Sequence, residues 1–382
     1  QPGQGNIHQN RAIALIALGR LEDAIGSARQ AVHLRPDNPG GYLNLALAEN
    51  RAGRPADAWE TVSRGLERVP DHPGLLNLAI HGAIEARNLS LAETFLARAQ
   101  AIAPASPEVV YHTAVLAQAR SRYGEAILAY DKVLAMQPGH QGAFVNRGVA
   151  LRSIGRVGEA MAQFRRGLAH APDHRLLRYN LALTELLAGN WTRAWPDFEL
   201  RMELAGALDQ SPRPRSPLWS GEDIAGRRLL VIHEQGFGDT LQFLRFLPWA
   251  AGKAGRVAFA CQERLFPLLS RLDLFRDGGI LLVAGGGSLP EHDLHVPLMS
   301  LARLSAVEPE SLPTLVVGLA LEPPRVARWA ALGRVDGTRW RVGLSWQGNP
   351  SASVDQDRSM PLAAFAPLSG FSPRAAFFSL QK

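Results

Sequence analysis

Prolines stand at Pro36, Pro70, Pro104, Pro138 and Pro172, and every interval is 34 residues. Ala24, Ala58, Ala92, Ala126, Ala160 and Ala194 keep the same step, and Gly19, Gly53, Gly155 and Gly189 hold its register. A period of this length marks a stack of small identical folding units. One unit is legible in detail. From Tyr42 to Ala52 the spacing predicts a helix carrying Leu43, Leu45, Ala46 and Leu47. Gly53 ends it, because glycine enters the left-handed region without a Cβ penalty. A second helix is expected from Pro55 to Val69, stopped by Pro70, which has no N–H to give. Ala58 is small where the two helices cross. Such a hairpin cannot cover its own apolar face, so hairpins must stack.

This pattern resembles the tetratricopeptide repeat. Five full repeats are expected from about Gly5 to His174, with a sixth from Arg175 that lacks the closing proline. Ile80, Arg87 and Ser121 depart from the usual small residue and glycines. The sixth position of each repeat holds Asn10, Asn44, Leu78, His112, Asn146 and Asn180. A carboxamide both donates and accepts, so a row of them can pair with an extended backbone of any sequence. The row resembles the asparagine ladder of O-linked N-acetylglucosamine transferases. That likeness implies a groove along Asn10, Asn44, Asn146 and Asn180 for a protein or peptide acceptor. The alternative is that these amides satisfy neighbouring backbone groups or face water.

Composition narrows the class. The 382 residues suggest two to three domains. With 46% hydrophobic and 20% charged residues, the chain can build sizeable cores and is not a disordered tail. The net charge of +6 rests on arginine, since only Lys132, Lys253 and Lys382 are lysine. The basic residues form no dense cluster, so no nucleic-acid partner is expected. Cys261 is the sole cysteine, which excludes a disulfide framework and a multi-cysteine zinc site and fits a reducing compartment. No apolar run approaches the length of a membrane helix, so no membrane span is expected. No signal peptide is visible, and a cytoplasmic location is expected. The opening at Gln1 and the end at Lys382 suggest a fragment.

The period stops after Ala205. Ser211–Pro217 carries three prolines in seven residues and reads as extended linker. From Arg228 to His233 a buried strand is expected. It is followed by Glu234–Thr240 (E-Q-G-F-G-D-T) and then by apolar residues at helical spacing from Leu241. Strands are also expected at Val257–Ala260, Ile280–Val283 and His295–Val296, with helices at Glu263–Leu272 and Pro297–Leu304. This describes an open, mainly parallel α/β sheet. A glycine-bearing loop between a strand and a helix is where such sheets bind anions and polar ligands.

The stretch from Trp219 to Phe243, together with Asp293–Leu301, Arg341–Pro350, Asp357–Leu362 and Phe378–Lys382, resembles bacterial tetratricopeptide-repeat proteins with a glycosyltransferase domain. The likeness extends more distantly to heptosyltransferases of glycosyltransferase family 9 and to family 41. It implies an α-solenoid followed by an α/β Rossmann-like GT-B lobe and the beginning of a second α/β lobe. The implied boundaries are a solenoid at 5–206, a Pro/Arg-rich linker at 207–226, and an N-terminal lobe at 227–322. An inter-lobe connection follows at 323–340, then the incomplete start of a nucleotide-sugar lobe at 341–382. A strand at Arg341–Trp346, a helix at about Leu362–Leu368 and a strand at Ala376–Leu380 are expected there.

The implied activity of the complete protein is sugar transfer from a nucleotide-diphosphate sugar to a protein or peptide acceptor, with no bound cofactor and no metal. The chain as it stands is expected to be inactive. The alternative is a non-catalytic interaction scaffold. Inverting transfer needs a base for the acceptor hydroxyl, and Asp239 resembles that base; a helix-end carboxylate is its bland role. Glu234 is a second candidate base. Gln235, Gly236 and Gly238 would contact substrate. Asn349, Ser351 and Arg358, after Gly348, resemble the diphosphate-holding region. His292, Asp293 and His295 have the look of metal ligands but read better as a strand entering a helix. Trp191, Trp195 and Phe198 are expected to pack the end of the solenoid against the α/β lobe.

Overall fold

The computed structural model describes residues 2–204, 214–314, 318–332, 340–348, 359–370 and 374–381. Among them, residues 2–198 form six stacked helical hairpins. The first three are α1 (Pro2–Ala17) with α2 (Leu21–Leu34), α3 (Pro39–Arg51) with α4 (Pro55–Arg68), and α5 (Pro73–Glu85) with α6 (Leu89–Ile102). The last three are α7 (Pro107–Ala119) with α8 (Tyr123–Met136), α9 (Gln141–Ser153) with α10 (Val157–His170), and α11 (Arg175–Leu187) with α12 (Trp191–Phe198).

The periodic residues act as expected. The six register alanines are 0–2% exposed, each at a helix crossing. Gly19, Gly53, Gly155 and Gly189 take φ between 72° and 83°. Arg87 and Ser121 stand in the same register and adopt φ of 59° and 57° despite their side chains. The turn is therefore imposed by stacking and not by glycine alone. A further register is visible only in the structure. Asn38, His72, Ser106, His140 and His174 cap the first helices, each side chain accepting a backbone N–H of the first turn. The apolar interior falls into two clusters that meet at α7. One runs from Ala12 to Leu116, the other from Ala114 to Leu177.

The last hairpin is irregular. Pro196 lies inside α12, and a 3-10 turn follows at Glu199–Met202. Trp195, Phe198 and Arg201 are all buried. They belong to a compact unit that gathers the solenoid with residues 234–246 and 296–313. The final hairpin is thus joined, within one compact unit, by chain that comes later in sequence.

The second unit carries the strands. β1 (Arg228–Ile232), β2 (Arg256–Cys261), β3 (Ile280–Ala284) and β4 (Leu294–Pro297) form one sheet in the order β3-β2-β1-β4. β1 pairs parallel with β2 (Leu230 opposite Ala258), and β2 pairs parallel with β3 (Phe259 opposite Leu282). Leu230, Ile232, Ala258 and Ala260 form the apolar cluster of one face, as a two-residue period requires. β5 (Trp340–Leu344) and β6 (Ala375–Ser379) make a separate parallel pair.

Three expectations change. The helix expected from Leu241 is split into Phe237–Phe243, a 3-10 turn at Leu244–Phe246, and Leu247–Ala251. Pro248 has no N–H to continue the ladder. Glu263–Leu272 is likewise broken, with a 3-10 turn at Glu263–Leu265 and a short helix at Phe266–Leu269 holding Pro267. Leu362–Gly370 is a 3-10 run with Pro367 inside. The linker at 207–226 is no free tether in its described part. Leu218 bridges to His295, Trp219 is 2% exposed and stacks on Trp249, and Ile224 is buried.

Candidate functional site

The loop after β1 turns sharply. Gln235 takes φ of 58°, and a helix starts at Phe237. Asp239 is half-buried at the third position of that helix, and its Oδ2 accepts the N–H of Gly236 at 3.1 Å. The carboxylate thus satisfies an orphan donor and faces the positive end of the helix. Neither Gly236 nor Gly238 has a positive φ. A Cβ at Gly238 would meet nothing within 4 Å, and one at Gly236 would meet only the Asp239 carboxylate, at 3.3 Å. Among the described residues nothing crowds Gly238, whereas a side chain at Gly236 would press on the carboxylate that accepts its own N–H. Gln235 is exposed beside them. Asn349, Ser351 and Arg358 lie outside the described residues. The Gly348 N–H donates to Ser359 Oγ at 3.0 Å.

Glu234 is not free to act as a base. It is 1% exposed, and both carboxylate oxygens are engaged. Arg201 donates to it through Nε (2.9 Å) and a terminal nitrogen (2.8 Å), and the Met299 N–H donates at 2.9 Å. Arg201 also donates to Glu199, to Ser300 Oγ and to the Phe198 carbonyl, and it lies 4.5 Å from the Phe198 ring centre. Burial works against the Arg201 charge, but Glu234 and Glu199 outweigh it and hold the guanidinium above its ordinary pKa. Sequence reasoning missed this cluster. Its members come from residues 199–201, 234 and 299–300, and no spacing rule joins them. Trp195 adds a neighbouring link, its Nε1 donating to the Val307 carbonyl at 3.2 Å.

The asparagine row is only partly open. Asn10 is exposed on α1. Asn44 donates to the Gln9 carbonyl at 3.4 Å, and Asn146 donates to the Tyr111 hydroxyl at 2.9 Å. Asn180 is 6% exposed; it donates to the Leu176 carbonyl and accepts from Arg152. His112, in the same register, is 8% exposed, and its Nδ1 has no hydrogen-bond partner. Burial, with His81 behind it, pushes the His112 pKa down to about 4.

Among the described residues, no group of His, Cys, Asp and Glu could hold a metal. Asp293 instead accepts the Arg228 backbone N–H and its guanidinium, which draws the carboxyl down to about 2. His295 Nδ1 sits 3.1 Å from Ser216 Oγ. Cys261 is fully buried at the end of β2, and burial pushes its thiol up to about 11, far from a nucleophile.

Residues 10–73 and 111–173 match the family profile described as tetratricopeptide repeat. The helical half is a tetratricopeptide-repeat array. Protein FlbA of Caulobacter vibrioides is 26% identical over 377 residues, 93% of this chain and 62% of that protein. This chain therefore spans less than two thirds of FlbA's length. The Hsp70-Hsp90 organizing protein of Triticum aestivum is 34% identical over 74 residues, 19% of this chain and 13% of that protein. A tetratricopeptide repeat protein from Parabacteroides merdae superposes with a TM-score of 0.47 at 19% identity, over 54% of this chain and 81% of that one. No described helix is long and apolar enough to cross a membrane.

Two outcomes follow from the buried groups. Arg201→Leu leaves the Glu234 charge buried without its cation and costs about 3–5 kcal/mol. Adding Glu234→Leu recovers at least half of that, as read from urea unfolding midpoints of the two variants. His112 must stay neutral when folded, whereas the unfolded chain protonates near 6.5. Stability is therefore lost as pH falls from about 6.5 toward 4. His112→Asn, which supplies the residue found at four other repeats, flattens the thermal midpoint across that window.

Proposed function

We propose that this chain is a protein-interaction scaffold whose repeats hold an extended segment of a partner polypeptide. One observation carries the reading. Beside the amide row, one turn along each first helix, lies a second row: Ile13, Leu47, His81, Val115, Val149 and Leu183. Ile13 is 50% and Leu47 38% exposed, and Val115, Val149 and Leu183 are half-buried. Residues three apart share a helix face. An amide stands beside an aliphatic side chain at four of the six repeats, and such pairs suit an extended peptide: the amides meet its backbone and the aliphatics meet alternate side chains. The wheat relative's name, an organizing protein, fits the same role.

The test is a screen of 12-residue peptides followed by calorimetry on the best binder. Leu47→Asp with Val149→Asp should weaken it at least tenfold, since burying one such side chain is worth about 1.5–3 kcal/mol. Asn44→Ala with Asn146→Ala should weaken it less, at about 0.5–1.5 kcal/mol per hydrogen bond. A binder indifferent to both pairs overturns the reading.

A second reading, a nucleotide-sugar glycosyltransferase, is favoured by Gly238. Among the described residues nothing lies within 4 Å of a Cβ at Gly238, and neither glycine has a positive φ, so close approach of a ligand backbone or phosphate gives Gly238 a purpose. In this reading Gln235 and the two glycines contact substrate, and Asp239 takes the acceptor hydroxyl proton as that oxygen displaces the diphosphate from the sugar. Asn349, Ser351 and Arg358 hold the departing diphosphate. Asp239→Asn still accepts the Gly236 N–H, so its thermal midpoint should stay within a degree or two, while sugar transfer, read on a protein that joins this chain to a full nucleotide-sugar lobe and is active before the substitution, falls roughly 100-fold or more. Equal transfer rates for the two proteins remove Asp239 from the chemistry.

A further inference from the structure

A cavity of ≈ 600 Å³ opens between α2, α3 and α4. Its floor includes Tyr42, Leu45 and Glu49, all under 5% exposed. A buried carboxylate is an unusual floor, because the helical stack does not need one there. In the same register of other repeats stand Leu15, Ala83, Ala117 and Leu151, and Leu15, Ala83 and Leu151 are buried. Only Glu185, four repeats later, is also acidic.

The two acids are closed off differently. Arg165 lies one repeat-step earlier in the stack and donates to Glu185 Oε1 at 2.8 Å. Arg29 holds the matching place for Glu49 and is exposed to a similar degree, but its guanidinium stands 3.5 Å from Oε1, an ion pair looser than the one at Glu185. Thr61 donates to the other oxygen, Oε2, at 2.8 Å. The pair at Glu185 is thus a direct hydrogen bond, while at Glu49 the pairing is longer and a cavity lies over the carboxylate.

We propose that this cleft receives an arginine side chain of a partner polypeptide, with Glu49 Oε1 taking the guanidinium. The rim carries both signs in equal number, Asp57, Glu60 and Glu67 against Arg29, Arg64 and Arg68, so the floor decides the charge of the ligand, which takes the closer place on Oε1 that Arg29 leaves at 3.5 Å. A buried carboxylate favours a cation, and a planar guanidinium can both bond it and lie against the ring of Tyr42. The polypeptide source of the arginine rests on the scaffold reading; the guanidinium site itself does not.

The probe is Nα-acetyl-arginine methylamide, titrated while backbone amide shifts are followed by transverse-relaxation-optimised NMR. Shifts are expected at residues 42–49 and 61. They should not appear with the citrulline analogue, which has the same shape without charge. They should be lost in Glu49→Gln, where Thr61 can still donate to the amide oxygen, and in Glu49→Leu, the residue already used at positions 15 and 151. Equal response to citrulline, persistence in both variants, or movement of these amides by acetyl-glutamate methylamide each overturns the site. Peptide binding disrupted by Leu47→Asp with Val149→Asp reports on the scaffold reading separately, so the two failures are distinguishable.

Discussion

Everything in the first half depends on one constraint: a helical hairpin of this size has more apolar surface than its two helices can cover. Each hairpin must therefore lend a face to the next, and the same contacts recur at each junction. That recurrence keeps Ala58 and its five equivalents at 0–2% exposure, since a larger side chain would separate the helices. It also makes Arg87 and Ser121 accept left-handed backbone that they would ordinarily avoid. The stack dictates the turn, and the residue in it adapts.

A stack must also end. The sixth hairpin has no seventh to cover it, and its last turn instead meets residues from 234–246 and 296–313 within the same compact unit. An arginine and a glutamate, both about 1% exposed, sit in that closure. A buried ion pair is a weak source of stability compared with apolar packing, but it tolerates only one arrangement of its partners. Here that arrangement fixes the residue just before the loop containing Gln235, Gly236 and Asp239. The loop's shape thus depends on the end of the solenoid.

The periodic features were legible in the sequence because each is a local property repeated six times. The helix ends at Gly53 and Pro70, the alanine crossings, and strand positions to within a residue or two all came from spacing. The breaks at Pro248 and Pro267 were equally local and could have been read from proline's missing N–H. The cap register from Asn38 to His174 was hidden because three of its five members are histidine, a residue seldom taken for a cap. The Arg201–Glu234 closure was not legible at all, since it joins elements that only the fold brings together. At the candidate loop, residue types were readable, but the availability of each group was not. Glu234 and Asp239 look alike in sequence, and only burial separates the fully engaged acid from the half-exposed one.

The asparagine row shows why availability matters. Asn44 reaches Gln9 and Asn146 reaches Tyr111, and both partners lie 35 residues earlier. One amide thus stitches each of these repeats to the one before, a role that the stack itself rewards without any ligand. An asparagine nitrogen carries two N–H groups, so after one such bond the amide still offers a donor beside its carboxamide oxygen. A partner running along this row would meet amides at the first, second and fifth repeats, because Leu78 and His112 stand in the register at the third and fourth. At Asn180 the oxygen accepts from Arg152 and the nitrogen donates to the Leu176 carbonyl, so this amide, 6% exposed, is committed to its own helix and to the repeat before it.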